Sequence, residues 1–141
     1  MTTSEKFQQA FSFHQEGKLT QARDLYKEIL STEPQNHEVW DLLGVLYMQA
    51  EKYPDAEDCI KNALQIEAKT YYLENLGKLY LKSGKYKEAI EVYEILTKTS
   101  PQNYENWFNL AMAYKNNSDW DKAKDAYTGS SATDRPGSCD R

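Results

Sequence analysis

Trp40-Asp41-Leu42-Leu43-Gly44-Val45-Leu46-Tyr47 is the stretch that decides the fold. It returns as Leu73-Glu74-Asn75-Leu76-Gly77-Lys78-Leu79-Tyr80 and again as Trp107-Phe108-Asn109-Leu110-Ala111-Met112-Ala113-Tyr114, at intervals of 33 and then 34 residues. Ala22, Ala56, Ala89 and Ala123 keep the same interval, as do Leu19, Tyr53, Tyr86 and Trp120. Pro34-Gln35-Asn36 reappears 67 residues later as Pro101-Gln102-Asn103. A period in this range marks an array of stacked units, each burying its apolar face against its neighbours.

Within a period the pattern is helical twice over. Leu73, Leu76, Gly77 and Tyr80 fall at i, i+3, i+4 and i+7, one face of a helix. Ser83-Gly84-Lys85 interrupts the run, Tyr86, Ala89, Ile90 and Tyr93 restart it, and Pro101 stops it. The same reading along the chain predicts helices over 3–16, 20–32, 37–50, 54–66, 70–82, 87–99, 104–116 and 119–128. Four units result: 3–36, 37–69, 70–103 and a last, incomplete one over 104–128. The short connections make paired helices antiparallel neighbours. Ala10, Gly44, Gly77 and Ala111 are small where a first helix meets its partner, and Tyr26, Tyr47, Tyr80, Tyr93, Tyr114 and Tyr127 fill the space between pairs. From Gly129 to Arg141 the composition turns to Gly, Ser and Pro; the reading there is an irregular, flexible tail and an array cut short.

This pattern resembles the tetratricopeptide repeat (TPR) family, whose units read W-x2-L-G-x2-Y, then A-x3-F and a proline. Unit two supplies Trp40, Leu43, Gly44, Tyr47, Ala56 and Ile60; unit three Leu73, Leu76, Gly77, Tyr80, Ala89, Tyr93 and Pro101. Unit four supplies Trp107, Leu110, Ala111, Tyr114, Ala123 and Tyr127, while in unit one Lys6 and Gln9 replace the apolar pair. The resemblance covers residues 3–128 and implies an all-α, right-handed α-solenoid of about four helix-turn-helix units.

The chain has 141 residues, a net charge of −5 and 28% charged residues. Nucleic-acid binders need a basic face, so that partner class is not expected. No run reaches the ~18 apolar residues of a membrane-spanning helix. The N-terminus lacks the apolar core of a signal peptide, and two cysteines without a C-x-x-C motif fit a reducing, cytoplasmic setting. His14 and His37 have no second ligand at zinc spacing and read as surface histidines; Cys59 reads as a small buried apolar group. Phosphate-binding and nucleophile motifs are absent, so the expectation is a non-enzyme without cofactor or metal.

The resemblance implies that first helices line a concave, ligand-holding groove. The residues expected there for a protein or extended peptide are Phe7, Phe11, Asp41, Val45, Met48, Asn75, Lys78, Lys82, Phe108, Asn109, Met112 and Lys115. Phe7, Phe11 and Leu42 occupy positions where chaperone-tail binders carry a carboxylate clamp, so that clamp is not expected. Asn75 and Asn109 resemble the asparagine ladder of the O-linked N-acetylglucosamine transferase arrays, where amides hold an extended peptide. The expected function is a protein-binding scaffold or adaptor. The rival is the recognition segment of a larger glycosyltransferase or methyltransferase. A third expectation is self-association through an uncapped last repeat presenting Trp107, Leu110, Tyr114 and Tyr127.

Overall fold

The computed structural model describes residues 1–134, with side chains through Gly129. Eight helices follow one another among the described residues: α1 (Thr3–Gln15), α2 (Leu19–Thr32), α3 (His37–Gln49), α4 (Tyr53–Ile66), α5 (Thr70–Ser83), α6 (Tyr86–Thr99), α7 (Tyr104–Asn116) and α8 (Trp120–Asp134). The architecture is all-α, of the TPR solenoid class. The chain divides into two compact units, Met1–Tyr72 and the part from Leu73 on. In the first, α1 packs on α2, α2 on α3 and α3 on α4; in the second, α6 packs on α7 and α7 on α8.

The repeated Pro-Gln-Asn phrase has a repeated structural task. Asn36 caps α3 by accepting from the Val39 N–H at 3.2 Å, and Asn103 caps α7 by accepting from the Glu105 N–H at 3.1 Å. The indole N–H of Trp40 donates to the Pro34 carbonyl at 2.9 Å, and that of Trp107 to the Pro101 carbonyl at 2.9 Å. Each proline thus ends one helix, and its carbonyl anchors the aromatic side chain that opens the next.

The turn inside each unit is equally regular. Gly17, Glu51, Gly84 and Ser118 all have positive φ, at 80°, 61°, 80° and 65°. The N–H of the following residue returns to a carbonyl five positions back: Lys18 to Phe13, Lys52 to Tyr47, Lys85 to Tyr80 and Asp119 to Tyr114. This is the left-handed helix cap for which glycine is the low-cost residue. Two of the four repeats fill it with a residue that has a Cβ.

The core is made of the periodic residues. Ala10, Ala22, Ala56, Ala89 and Ala111 are fully buried, and so are Tyr26 and Tyr93 to within 1%. A Cβ on Gly44 would lie 2.5 Å from Ile60 Cγ1, and one on Gly77 2.7 Å from Tyr93 Cζ. The two glycines therefore let α3 close on α4 and α5 on α6, at the same register in each pair.

The structure corrects three expectations. The last helix does not end at residue 128 but runs to Asp134, so the irregular tail expected from Gly129 begins no earlier than residue 135; residues 135–141 lie outside those described. Gly129 sits against the Trp107 ring, where a Cβ would come within 2.8 Å of Cε3, so a residue with low helix propensity is retained by packing. Because α8 packs on α7, two of the four residues expected to be presented for self-association, Leu110 and Tyr114, are buried, at 4% and 8% exposure, whereas Tyr127 is 38% exposed. Finally, His14 is a buried residue rather than a surface one. Its Nε2 faces Gln49 Oε1 at 2.7 Å and its Nδ1 meets the Tyr26 hydroxyl at 3.1 Å.

Candidate partner-binding site

The N-terminal unit carries an apolar groove of about 480 Å³. Phe7 and Phe11 line it from α1, Glu38, Asp41 and Leu42 from α3, Lys69 from just before α5, and Tyr71 and Tyr72 from its first turn. Phe7 and Phe11 stand one helical turn apart with nearly parallel rings, 6.3 Å between centroids and 3° between planes. Phe11 is 39% exposed and Tyr71 57%, more apolar surface than a merely solvated face needs.

The back of the groove is fixed by hydrogen bonding. Tyr72 is buried, and its hydroxyl shares a 2.6 Å hydrogen bond with His37 Nδ1. Burial pushes the Tyr72 phenol up to about 12, and the nearby carboxylates of Asp41, Glu38 and Glu67 push the same way. The wall is a neutral aromatic surface with acidic groups beside it.

The expected site residues divide three ways. Phe7, Phe11 and Asp41 come together in this groove, although Asp41 is only 1% exposed and lies in its floor. Val45 is half-buried outside the groove lining, and Met48 is core, at 8% exposure. In the C-terminal unit, Lys78 and Asn109 join Glu74, Tyr93, Asn103, Glu105 and Asn106 around a second, polar pocket of about 130 Å³. Asn75 is buried at 7% exposure, Lys82 and Lys115 are exposed, and Met112 is half-buried. Phe108 is 46% exposed and meets Tyr127 edge-on at 5.9 Å between centroids.

Sequence reasoning missed Glu38 in the first turn of α3, and it missed Lys69 and Tyr72 because the junction before α5 breaks the period near Ala68. It missed Tyr93, Asn103 and Asn106 in the second because their register positions have packing and capping tasks. Among the described residues no group of three or more His, Cys, Asp or Glu side chains could hold a metal ion, and no helix is long and apolar enough to cross a membrane.

Comparison with known proteins places the chain in a family. The BBSome complex member BBS4 of Bos taurus is 31% identical over 98 residues, which is 70% of this chain and 19% of that protein. The human protein O-mannosyl-transferase TMTC1 is 37% identical over 71 residues, 50% of this chain and 8% of that protein. The chain thus spans about a fifth or less of the length of these relatives. The crystal structure of MamA superposes with a TM-score of 0.87 at 17% identity, covering 94% of this chain and 78% of that one, a likeness of fold. The model of the cilia and flagella-associated protein 70 middle TPR-like domain matches residues 7–133, and the chain belongs to that TPR-like family.

Proposed function

We propose that this chain is a non-catalytic protein-binding scaffold that takes a partner segment in the groove of its N-terminal unit. The observation that carries the reading is the set of exposed aromatic side chains, Phe11 and Tyr71, flanking a groove whose back wall is pinned by the His37–Tyr72 bond. Apolar anchors of the partner would bury against Phe7, Phe11 and Leu42. The charge distribution adds a preference. Residues 1–72 hold 7 Lys or Arg against 12 Asp or Glu, while the remaining residues hold 10 of each, so the whole net charge belongs to the groove-bearing part. A partner segment with basic residues beside its apolar anchor is favoured, mainly through its rate of association. BBS4 is by its name a member of a complex, which agrees with a scaffold role.

The test is site-specific photocrosslinking from position 11. A photoreactive phenylalanine analogue there should capture one partner species, identified by mass spectrometry, and Phe7→Asp in the same chain should abolish the capture. The same species captured equally from the exposed position 124 would refute the groove. The similarity to TMTC1 favours a second reading, a recognition segment belonging to a larger transferase. A transferase domain encoded downstream of residue 141 would support it, and a stop codon with no such domain would sink it.

A further inference from the structure

The polar pocket of the C-terminal unit gathers hydrogen-bonding groups that the chain leaves unmatched. Tyr93 on α6 is 1% exposed and its hydroxyl has no hydrogen-bond partner; Asn106 on α7 is 3% exposed and its Nδ2 has none. Buried polar groups are nearly always paired, and each exception needs a physical reason. Both residues line the same pocket, with Glu74 and Lys78 from α5 and with Asn103, Glu105 and Asn109 at and after the cap of α7. Asn109 stands close enough to the Tyr93 hydroxyl to offset part of the upward pKa shift caused by burial, Glu105 and Glu74. No hydrogen bond of ordinary geometry closes between them. Among the described residues no ion pair joins Glu74, Lys78 and Glu105 to one another.

The inventory of groups selects the occupant. An amide NH2 and an ammonium require acceptors, two carboxylates require donors, and a phenol serves either way. A carboxylate ligand would satisfy Asn106 and Lys78 but would set a third negative charge beside two. An ammonium ligand would suit the glutamates but leave Asn106 Nδ2 unpaired and face Lys78. A carboxamide is neutral and carries both halves, a carbonyl oxygen and an N–H. The pocket's volume of about 130 Å³ is well above the roughly 10–15 Å³ that a single water needs, and accommodates such a group.

We propose that this pocket is a subsite for a carboxamide of the partner polypeptide, with Asn106 and Lys78 on its oxygen and Glu74 or Glu105 on its nitrogen. The proposal rests on the partner-binding reading above but uses a different unit and different residues. The two unpaired atoms have almost no accessible surface, so engagement requires a side-chain rotation; the half-buried Asn109 beside Tyr93 is the group placed to make it. A side-chain amide of Asn or Gln and a main-chain peptide unit share this chemistry.

The experiment is a titration of the isotope-labelled full chain, followed by nuclear magnetic resonance, with four probes: acetamide, N-methylacetamide, acetate and methylammonium. One of the two amides should shift the side-chain NH2 signals of Asn106 and Asn109 saturably. Acetamide acting more strongly assigns a side-chain source, and N-methylacetamide acting more strongly a main-chain source. Asn106→Leu, shown by circular dichroism to remain folded, should weaken the amide's binding by about 3- to 10-fold, as read from backbone signals around the pocket; this is the effect of one lost hydrogen bond. Tyr93→Phe, which keeps the ring and removes a hydroxyl that lines the pocket without holding the amide, should weaken it less than Asn106→Leu. Acetate or methylammonium moving the same signals equally would overturn the proposal, as would no probe moving them. The probes need no partner, so their failure is distinguishable from failure of the crosslinking at position 11.

Discussion

Tyr26 and Tyr93 occupy the same register position in units one and three, both are essentially fully buried, and the same deletion should have opposite effects on them. Tyr26→Phe removes a hydroxyl that meets His14 Nδ1 at 3.1 Å and leaves that buried nitrogen without a partner. The expected cost is about 1–2 kcal/mol, the penalty for stranding a desolvated polar group. Tyr93→Phe removes a hydroxyl that is itself stranded. Deleting it relieves a desolvation penalty, less a few tenths for lost dispersion contact, for an expected gain of about 0.5–1 kcal/mol. The two variants should therefore differ by roughly 2 kcal/mol. Arrays of repeats do not always unfold in one step, so the global midpoint in urea needs a local companion measurement. Native-state hydrogen exchange supplies it: protection of α1 and α2 should fall in Tyr26→Phe, and protection of α6 should rise or hold in Tyr93→Phe. A loss of stability in Tyr93→Phe equal to that in Tyr26→Phe would show that the Tyr93 hydroxyl is paired in solution. A paired Tyr93 hydroxyl would count against the carboxamide subsite.

Gly77→Leu should destabilise the chain by about 1–3 kcal/mol in urea unfolding, because even a Cβ there would stand 2.7 Å from the Tyr93 ring. Glu51→Gly and Ser118→Gly should each raise the melting temperature, by the equivalent of about 0.5–1 kcal/mol, since both residues hold positive φ in caps that units one and three build with glycine. Glu38→Gln should leave the fold intact and reduce the salt dependence of the partner's association rate, read by stopped-flow at two ionic strengths. Tyr26 and Tyr72 have phenols pushed up to about 12, so the folded chain holds protons that the unfolded chain releases from about pH 10. Their contribution to stability should be complete below about pH 10 and lost as pH rises toward 12, which urea midpoints across that range would register.

The repeat was legible because its positions obey sterics that any helix pair must satisfy. Gly44 and Gly77 announce close approach, and Pro34-Gln35-Asn36 with Trp40 announces a stop, a cap and an anchor. The end of α8 was not legible, because Gly129 and the residues after it favour a coil by local propensity, while contact with Trp107 is a tertiary effect. The groove was half legible. Phe7 and Phe11 followed from helical period, but Lys69 and Tyr72 enter from a junction where the period slips. Met48 and Asp41 share an expected inward face, yet burial separates them from true surface. His14 was misread because Tyr26 and Gln49, which complete its bonding, lie 12 and 35 residues away.

Histidines link consecutive repeats in the N-terminal unit, each reaching 35 residues ahead: His14 to Gln49 and His37 to Tyr72. By the spacing of the array, the residue one repeat beyond Gln49 is Lys82, and the one beyond Tyr72 is Asn106. Excising repeat two would bring Lys82 to His14, and an ammonium offers no acceptor for the imidazole N–H that Gln49 now receives. The repeats are therefore not interchangeable beads. Their order along the chain is written into these side-chain pairs, so shuffling or deleting a repeat changes the chemistry of a joint as well as the length of the array.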